Sequence, residues 1–584
     1  MRQLAPLLLA ALVAGSTPAT AASLPAVEGT RGMVVSADAL ASEVGRDILA
    51  AGGNAVDAAV AVGYALAVVD PCCGNIGGGG FLTLRLADGT ARFLDFRETA
   101  PAAARPDMYL DASGEPIKAA SLDGWRASGV PGTVAGLDHA LARWGTLPRD
   151  RVMAPAIRLA RDGFVLGRAR ADILARGAPR LARDPEAARI FMRADGRPLG
   201  PDDRLAQRDL AATLEGIAKD GPDAFYRGPV ASAVERAMLA NGGTLRAADF
   251  AAYVAKERPP VRCTHRDLEL ITAPPPSSGG ITLCLMLNVL EGWDLAASGW
   301  HGAETVHRMV EAMRHAYFDR NRLLGDPDYV AIPAERLLSK DYAAALRARI
   351  EAKGVEPSAT LGDASAPHEK PETTHYSVVD AAGNAVAVTY TVNGLFGAAV
   401  VAPGTGFLLN DEMDDFTVKP GAANLFGLVQ GARNAVAPGK RPLSSMTPTI
   451  VTRNGRLFLV LGSPGGSRIP TTVMETILNV ATFGMRPREA VNAPRIHHQW
   501  LPDVIVHEPF ALSPDTIALL KARGYTLAAQ SPWGAAGLIE IAPPEGEAAT
   551  ASSGNDAALS GALTPGRVYG ASDDRRPAGA AAAE

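Results

Sequence analysis

The sequence predicts a large layered α/β protein, on three observations. Apolar residues recur at helical spacing through much of the first 350 positions, beginning with Leu40, Val44, Ile48 and Leu49. Hairpins with strong turn signals follow, one closing around Asp380 to Asn384 and another at Asn454-Gly455. The composition, 47% apolar and 20% charged over 584 residues, is that of a globular chain able to bury a substantial core.

Taken in order, the chain opens with Arg2, an apolar run from Leu4 to Val13, and the small-residue site Ala19-Thr20-Ala21. That three-part pattern reads as a secretory signal over residues 1–21, too short to span a bilayer as a helix. No later stretch reaches 18 uninterrupted apolar residues, so a periplasmic or secreted protein without a membrane span is expected. The charge balance, net −5 with no long run of one sign, gives no reason to expect nucleic acid as a partner.

A helix from Asp38 to Ala51 is expected to stop at Gly52-Gly53, and the Ala/Val-rich segment from Ala55 to Val69 reads as a buried helix. Gly77-Gly78-Gly79-Gly80 lacks the Gly-Lys-Ser/Thr ending of a phosphate loop and precedes a strand, which suits close backbone packing or a tight turn better. Strands are expected over Phe81 to Leu86 and Arg92 to Arg97, then a mostly helical stretch. Its helices are Thr133 to Trp144, Arg151 to Asp162, Leu210 to Lys219, Val230 to Asn241, Ile281 to Leu290 and Val306 to Leu324. Pro274 to Gly280 joins a strand to a helix, with its serines placed as caps. Residues 351 to 370 read as an exposed linker, the kind of segment in which a cleavable junction belongs.

That linker runs into Thr373-Thr374-His375-Tyr376-Ser377, and the strand answering it is Ala385 to Asn393. A hairpin closed at Gly383 sets Thr373 opposite Thr391, where cross-strand Cβ atoms lie about 4.5 to 5.5 Å apart. A threonine hydroxyl needs a base to attack a carbonyl, and a threonine at a chain terminus carries one in its own α-amine. Cleavage between Glu372 and Thr373 would supply it; a solvated strand start is the plainer alternative. Further along, Asp411-Glu412-Met413-Asp414-Asp415 is either a solvated acidic surface or a holder of a cation. Pro420 to Gly431 reads as a mobile loop with an aromatic tip at Phe426. Gly462-Ser463-Pro464-Gly465-Gly466-Ser467 joins a strand to a helix, where uncovered N–H groups suit an oxyanion. A small, polar insertion at 545–566 is expected to be disordered, and the last eight residues to form a loose tail. Cys72 and Cys73 are adjacent, so a bridge between them is expected to be strained, whereas Cys263 and Cys284 could pair in an oxidising compartment. No Cys or His spacing suggests a metal site.

Those motifs in that order, together with Asp414-Asp415-Phe416 and Pro442-Leu443-Ser444-Ser445-Met446, resemble the γ-glutamyltransferases, autoprocessed members of the N-terminal nucleophile hydrolases. The resemblance implies a four-layer αββα sandwich and a precursor cut into a large subunit, 22–372, and a small catalytic one, 373–584. It implies Thr373 as nucleophile, Thr391 as its hydrogen-bonding partner, and Gly465 and Gly466 as the oxyanion pair. Arg97, Ser444 and Ser445 would hold a substrate α-carboxylate; Asn393, Glu412 and Asp415 would hold its α-ammonium. The implied reaction passes the γ-glutamyl group of glutathione or a similar compound to water or to an amino acid or peptide amine, with no metal or organic cofactor. Phe426 stands where several relatives carry tyrosine at the tip of a lid, and Glu412 where some carry glutamine. A β-lactam side-chain acylase, such as a glutaryl-cephalosporin acylase, shares the scaffold but typically lacks the lid-like segment; an unprocessed, non-catalytic relative is the third reading.

Overall fold

The computed structural model describes residues 24–584 apart from 118, 363–372, 420, 422, 423, 425–427, 429 and 545–565. The expected signal segment, Glu372, Phe426 and all but the last residue of the expected insertion therefore lie outside the described residues. Two seven-stranded sheets form the centre. One is ordered Ala580–Ala583, Met33–Ser36, Thr374–Val379, Ala385–Thr391, Gly79–Arg85, Ala91–Phe96, Lys256–Arg258. The other is ordered Val27–Gly29, Val568–Ser572, Gly537–Ile541, Arg456–Gly462, Thr449–Arg453, Leu268–Thr272, Val261–His265. Every strand pairing in both sheets is antiparallel.

Strand alternation explains the layering. Val34, Val378, Val386, Val388, Leu82 and Leu84 point to a core shared with the helices Ala39–Ala50 and Ala55–Val69. Their sequence neighbours Met33, Val35, Val379, Ala385 and Ala387 point the other way, against Ile271, Ile450, Val460 and Ile539 of the second sheet. The outer face of that second sheet is covered by the helices Gly279–Leu290 and Ile469–Ala481, with Ala303–Leu323 packed beyond them. The result is helix, sheet, sheet, helix: the four-layer αββα sandwich. The small side chains of Ala385, Ala387 and Thr389 thus face a second sheet instead of solvent, and both faces of their strand are buried.

His375 stands between the sheets, with Nδ1 at 2.8 Å from Thr389 Oγ1 and Nε2 at 3.0 Å from Ser377 Oγ. Burial lowers its pKa to about 3, so the imidazole is a neutral spacer. Any Cβ at Gly462 would meet its ring at 2.3 Å, which is why the facing strand has a glycine there. Each sheet mixes strands from before and after Thr373, so a cut at that point would leave two intertwined fragments.

Several expectations need correction. The final residues are no loose tail: Ala580–Ala583 pairs with Met33–Ser36 and closes one sheet edge. The helix Lys340–Lys353 extends into the segment read as linker, and the helix Arg168–Leu181 carries little sequence signal because nine of its fourteen residues are Arg, Ala or Gly, which gives little apolar contrast. Cys72 and Cys73 are bonded to each other, as are Cys263 and Cys284. Among the described residues, no helix is long and apolar enough to cross a membrane.

Candidate active site

The expected hairpin register is the one observed: Thr374 pairs with Tyr390 and Val379 with Ala385, which sets Thr373 across from Thr391. Their hydroxyl oxygens are 3.4 Å apart, and Thr373 is only 3% exposed. Thr391 Oγ1 accepts the Asn393 N–H at 2.8 Å, and either hydroxyl of the Thr373–Thr391 pair can be the donor to the other. Asn393 turns the chain through a positive φ of 73°, held by its Nδ2 donating to the Asp411 carbonyl at 3.0 Å and by Gly394 N donating to Asp411 Oδ1 at 2.7 Å. On the other side, Arg576 Nη2 donates to the Thr373 carbonyl at 2.9 Å while its Nη1 pairs with Asp70 at 3.1 Å.

The glycine run packs against this strand. A Cβ on Gly78 would lie 1.9 Å from the Thr391 carbonyl oxygen, and one on Gly77 would lie 2.2 Å from that of Leu408. Close backbone approach is what these glycines supply. Asn410, which donates to the Gly77 and Gly129 carbonyls and accepts from Glu412 N, ties the run to the acidic segment.

That segment is buried, not solvated. Glu412–Asp415 forms a short 3₁₀ turn in which every residue is buried. The Arg97 guanidinium bonds both Glu412 and Asp415, and Glu98 lies 3.6 Å from it. Burial pushes Glu412 well above the ordinary carboxylate range, raises Asp415, and brings Glu98 up to about 7, with Arg97 opposing each shift. Three buried carboxylates thus share one arginine, an arrangement that would welcome a second cation. The acidic run holds a cation, and in this state that cation is Arg97.

Thr373, Thr391, Asn393, Arg97, Glu412, Asp415, Ser444, Ser445 and Gly466 all line one cavity of about 300 Å³. Gly465, next in chain to Gly466, lines a second cavity instead. Both glycines have positive φ, 139° and 55°, at the turn that precedes the helix Ile469–Ala481. Arg320, a residue that sequence reasoning misses, also lines the first cavity: its Nη2 donates to Ser445 Oγ at 2.9 Å and its Nε to Ser278 Oγ at 3.0 Å. Burial lowers its pKa to about 10. It is one of two buried arginines, with Arg314, in a helix that carries several, and of the two it is the one that lines this cavity. Ser278 stands at the N-cap position of the helix Gly279–Leu290 without a side-chain cap bond, whereas Ser277 Oγ accepts the N–H of Gly279 at 3.0 Å; Ser277 Oγ donates to the Met446 carbonyl and Ser278 Oγ to that of Ser444, both at 2.6 Å. They clasp the irregular segment that carries Ser444 and Ser445, ahead of the strand Thr449–Arg453. Asp70, Cys72 and Cys73 cluster within 4.8 Å, but the sulfurs are spent on their mutual bond and offer no thiolate for a metal.

Residues 41–583 match the gamma-glutamyltranspeptidase family. The chain belongs to that family. It is 49% identical over 563 residues to the glutathione hydrolase proenzyme of Pseudomonas sp. (strain A14), covering 96% of both chains, and 46% identical over 582 residues to that of Escherichia coli (strain K12), covering 97% of both. Among solved structures it resembles a cephalosporin acylase from Bacillus halodurans, with a TM-score of 0.81 and 25% identity over 98% of this chain and 99% of that one. Like its relatives in this gamma-glutamyltranspeptidase family, the chain is an enzyme made as a proenzyme.

Proposed function

We propose that this precursor cuts itself between Glu372 and Thr373 and that the resulting pair of fragments is a γ-glutamyltransferase and glutathione hydrolase. The observation that carries the reading is the Thr373–Thr391 hydroxyl pair opening onto a cavity with arginine and serines beside buried carboxylates. Donors and acceptors so arranged suit the carboxylate and ammonium of one amino-acid head group.

In this mechanism Thr373 Oγ attacks the γ-amide carbonyl, its proton passing to its own α-amine. Thr391 donates to the attacking oxygen. The carbonyl oxygen, as it gains charge, is stabilised by N–H groups at Gly465 and Gly466. The amine departs with the proton from the α-amine, leaving a γ-glutamyl ester on Thr373. Water or an acceptor amine then opens the ester. Arg97, Ser444 and Ser445 orient the α-carboxylate, and Arg320 fixes Ser445. Asn393, Glu412 and Asp415 take the α-ammonium, which replaces part of the charge Arg97 now supplies. Secretion through the amino-terminal signal, to the periplasm or beyond, belongs to the same proposal.

A glutaryl-cephalosporin acylase is the rival that the structural likeness brings forward. A glutaryl group has a carboxylate but no ammonium, so it would leave Glu98, Glu412 and Asp415 with one cation among them, a costly state in a buried site. The test is twofold. The small fragment should begin at Thr373, and a Thr373→Ala chain should stay whole and inert. Purified enzyme should release p-nitroaniline from γ-glutamyl-p-nitroanilide and leave glutaryl-cephalosporin intact; the reverse preference would overturn the reading.

A further inference from the structure

Cys72 and Cys73 are neighbours in the chain, bonded to each other and buried, and the reaction proposed above makes no use of them. They sit in the turn that ends the helix Ala55–Val69 and leads into the glycine run packed behind Thr391. Three contacts tie this turn to the nucleophile. The Cys72 carbonyl accepts the Phe396 N–H at 2.7 Å, just past the bend at Asn393. A Cβ on Gly74, the residue after Cys73, would lie 2.7 Å from the Thr374 methyl and 2.9 Å from the Tyr390 ring, so the turn lies tight against the neighbours of Thr373 and Thr391. Asp70 Oδ1 is 3.1 Å from Cys72 Sγ, and its Oδ2 is 3.1 Å from Arg576 Nη1 and accepts from Thr374 Oγ1 at 3.5 Å. Arg576 Nη2 in turn donates to the Thr373 carbonyl at 2.9 Å. Sulfur, carboxylate, guanidinium and the main chain of the nucleophile thus form one continuous path.

The state of the sulfurs decides how that path is held. Bonded sulfurs carry no proton and join the two side chains in one ring. After reduction the sulfurs must stand apart at van der Waals separation, and Cys72 gains an S–H beside Asp70 Oδ1. Both sulfurs are buried against closely packed neighbours, so the turn has to shift to make room for them. The shift moves Asp70, and with it the charge that holds Arg576 against Thr373. A reductant has a way in, because Asp70, Gly394 and Arg576 line the second cavity, of about 3030 Å³.

We propose that the Cys72–Cys73 pair is a redox-sensitive device that sets the nucleophile: the disulfide fixes Thr373 through Asp70 and Arg576, and reduction by a small thiol slackens it and slows turnover. The inference rests on the enzyme reading above and adds its regulation. A thiolate attacks one sulfur of the pair, the S–S bond breaks, and the other sulfur leaves as a thiolate that takes up a proton. A second thiol attacks the mixed disulfide and frees the first cysteine. Two thiols are thereby oxidised to one disulfide, and the protein gains two electrons and two protons. Asp70 and Arg576 act through Thr373 and are positioning residues.

The test follows p-nitroaniline release from γ-glutamyl-p-nitroanilide by mature enzyme before and after about 10 mM dithiothreitol, with acid-quenched alkylation and peptide mapping to show which cysteines are reduced. It is run on the wild type and on Cys263→Ala/Cys284→Ala, which removes the other disulfide as a source of any response. Reduction of Cys72 and Cys73 should lower kcat about 10- to 100-fold with the donor KM within about twofold, and reoxidation should restore it. Cys72→Ser/Cys73→Ser should be slow and indifferent to dithiothreitol. Arg576→Gln should also be slow, and reducing it should change kcat by less than about twofold, because its path to Thr373 is already broken. A bridge that merely braced the fold would slow wild type and Arg576→Gln by the same factor, and that result would overturn the inference. Should either of these variants fail to mature, the reversible loss of kcat in the wild type and in Cys263→Ala/Cys284→Ala decides. A Cys72–Cys73 pair that stays oxidised in the native enzyme, or full kcat with both cysteines reduced, would also overturn it while leaving the enzyme reading intact. No p-nitroaniline release from oxidised, mature wild type would instead remove the enzyme reading, and with it the activity that this device sets.

Discussion

Replacing Thr391 by valine removes a hydroxyl and almost nothing else, and the structure sets the size of the effect. The two threonine oxygens are 3.4 Å apart, longer than the 2.7 to 2.8 Å typical of O–H···O bonds, so the resting contact is weak. As Thr373 Oγ gives up its proton and attacks, charge shifts at that oxygen, and a hydrogen bond to a charged partner is worth about 1.5 to 3 kcal/mol. At 1.36 kcal/mol per decade, losing it costs about 10- to 150-fold in rate. Because the contact tightens only on the way to the transition state, the loss belongs in kcat more than in KM. Valine also deprives the Asn393 N–H of its acceptor, which should lower thermal stability by about 1 to 3 kcal/mol. The assay is steady-state hydrolysis of γ-glutamyl-p-nitroanilide by mature protein beside Thr391→Ser, which keeps the hydroxyl and should stay within about fivefold of wild type. A mature Thr391→Val enzyme with kcat within threefold of wild type would refute the reasoning.

Three further outcomes follow from the same geometry. Folded Glu98 keeps its proton to about pH 7, whereas an unfolded glutamate loses it near 4.5, so stability from this group is fully present below about 4.5 and is lost as pH rises to 7. Thermal melts should therefore show Glu98→Gln gaining on wild type as pH is raised from 5 to 7.5; parallel melting curves across that window would contradict it. Gly78→Ala places a methyl against the Thr391 carbonyl oxygen, backbone against backbone, and should leave the precursor uncut on a denaturing gel. Removing residues 580–584 strips the strand that covers Met33–Ser36, next to the strand that follows Thr373, and should lower Tm and slow cleavage; unaltered maturation would show that this edge is dispensable.

What the sequence made legible was local. The Asp380–Asn384 turn and the strict alternation of its strands fix one register, and with it the Thr373–Thr391 pair. Asn454 and Gly455, with φ of 51° and 78°, make the two-residue turn their chemistry called for. Partners far apart in the chain stayed hidden. Nothing in Ala580–Ala583 marks a strand, since alanine has little β preference, and only the open edge of Met33–Ser36 recruits it. Arg320 and Arg576 carry no local signal, because the Ser445 hydroxyl and the Thr373 carbonyl that they bond lie 125 and 203 positions away. The acidic run was ambiguous for the same reason: its cation, Arg97, lies more than three hundred positions upstream.

The most direct measurement is peptide mapping after the enzyme is mixed with a γ-glutamyl donor and quenched in acid. The account predicts that the γ-glutamyl group is found as an ester on a peptide whose first residue is Thr373. A label on any other residue, or turnover by protein whose chain remains joined at 372–373, would contradict it.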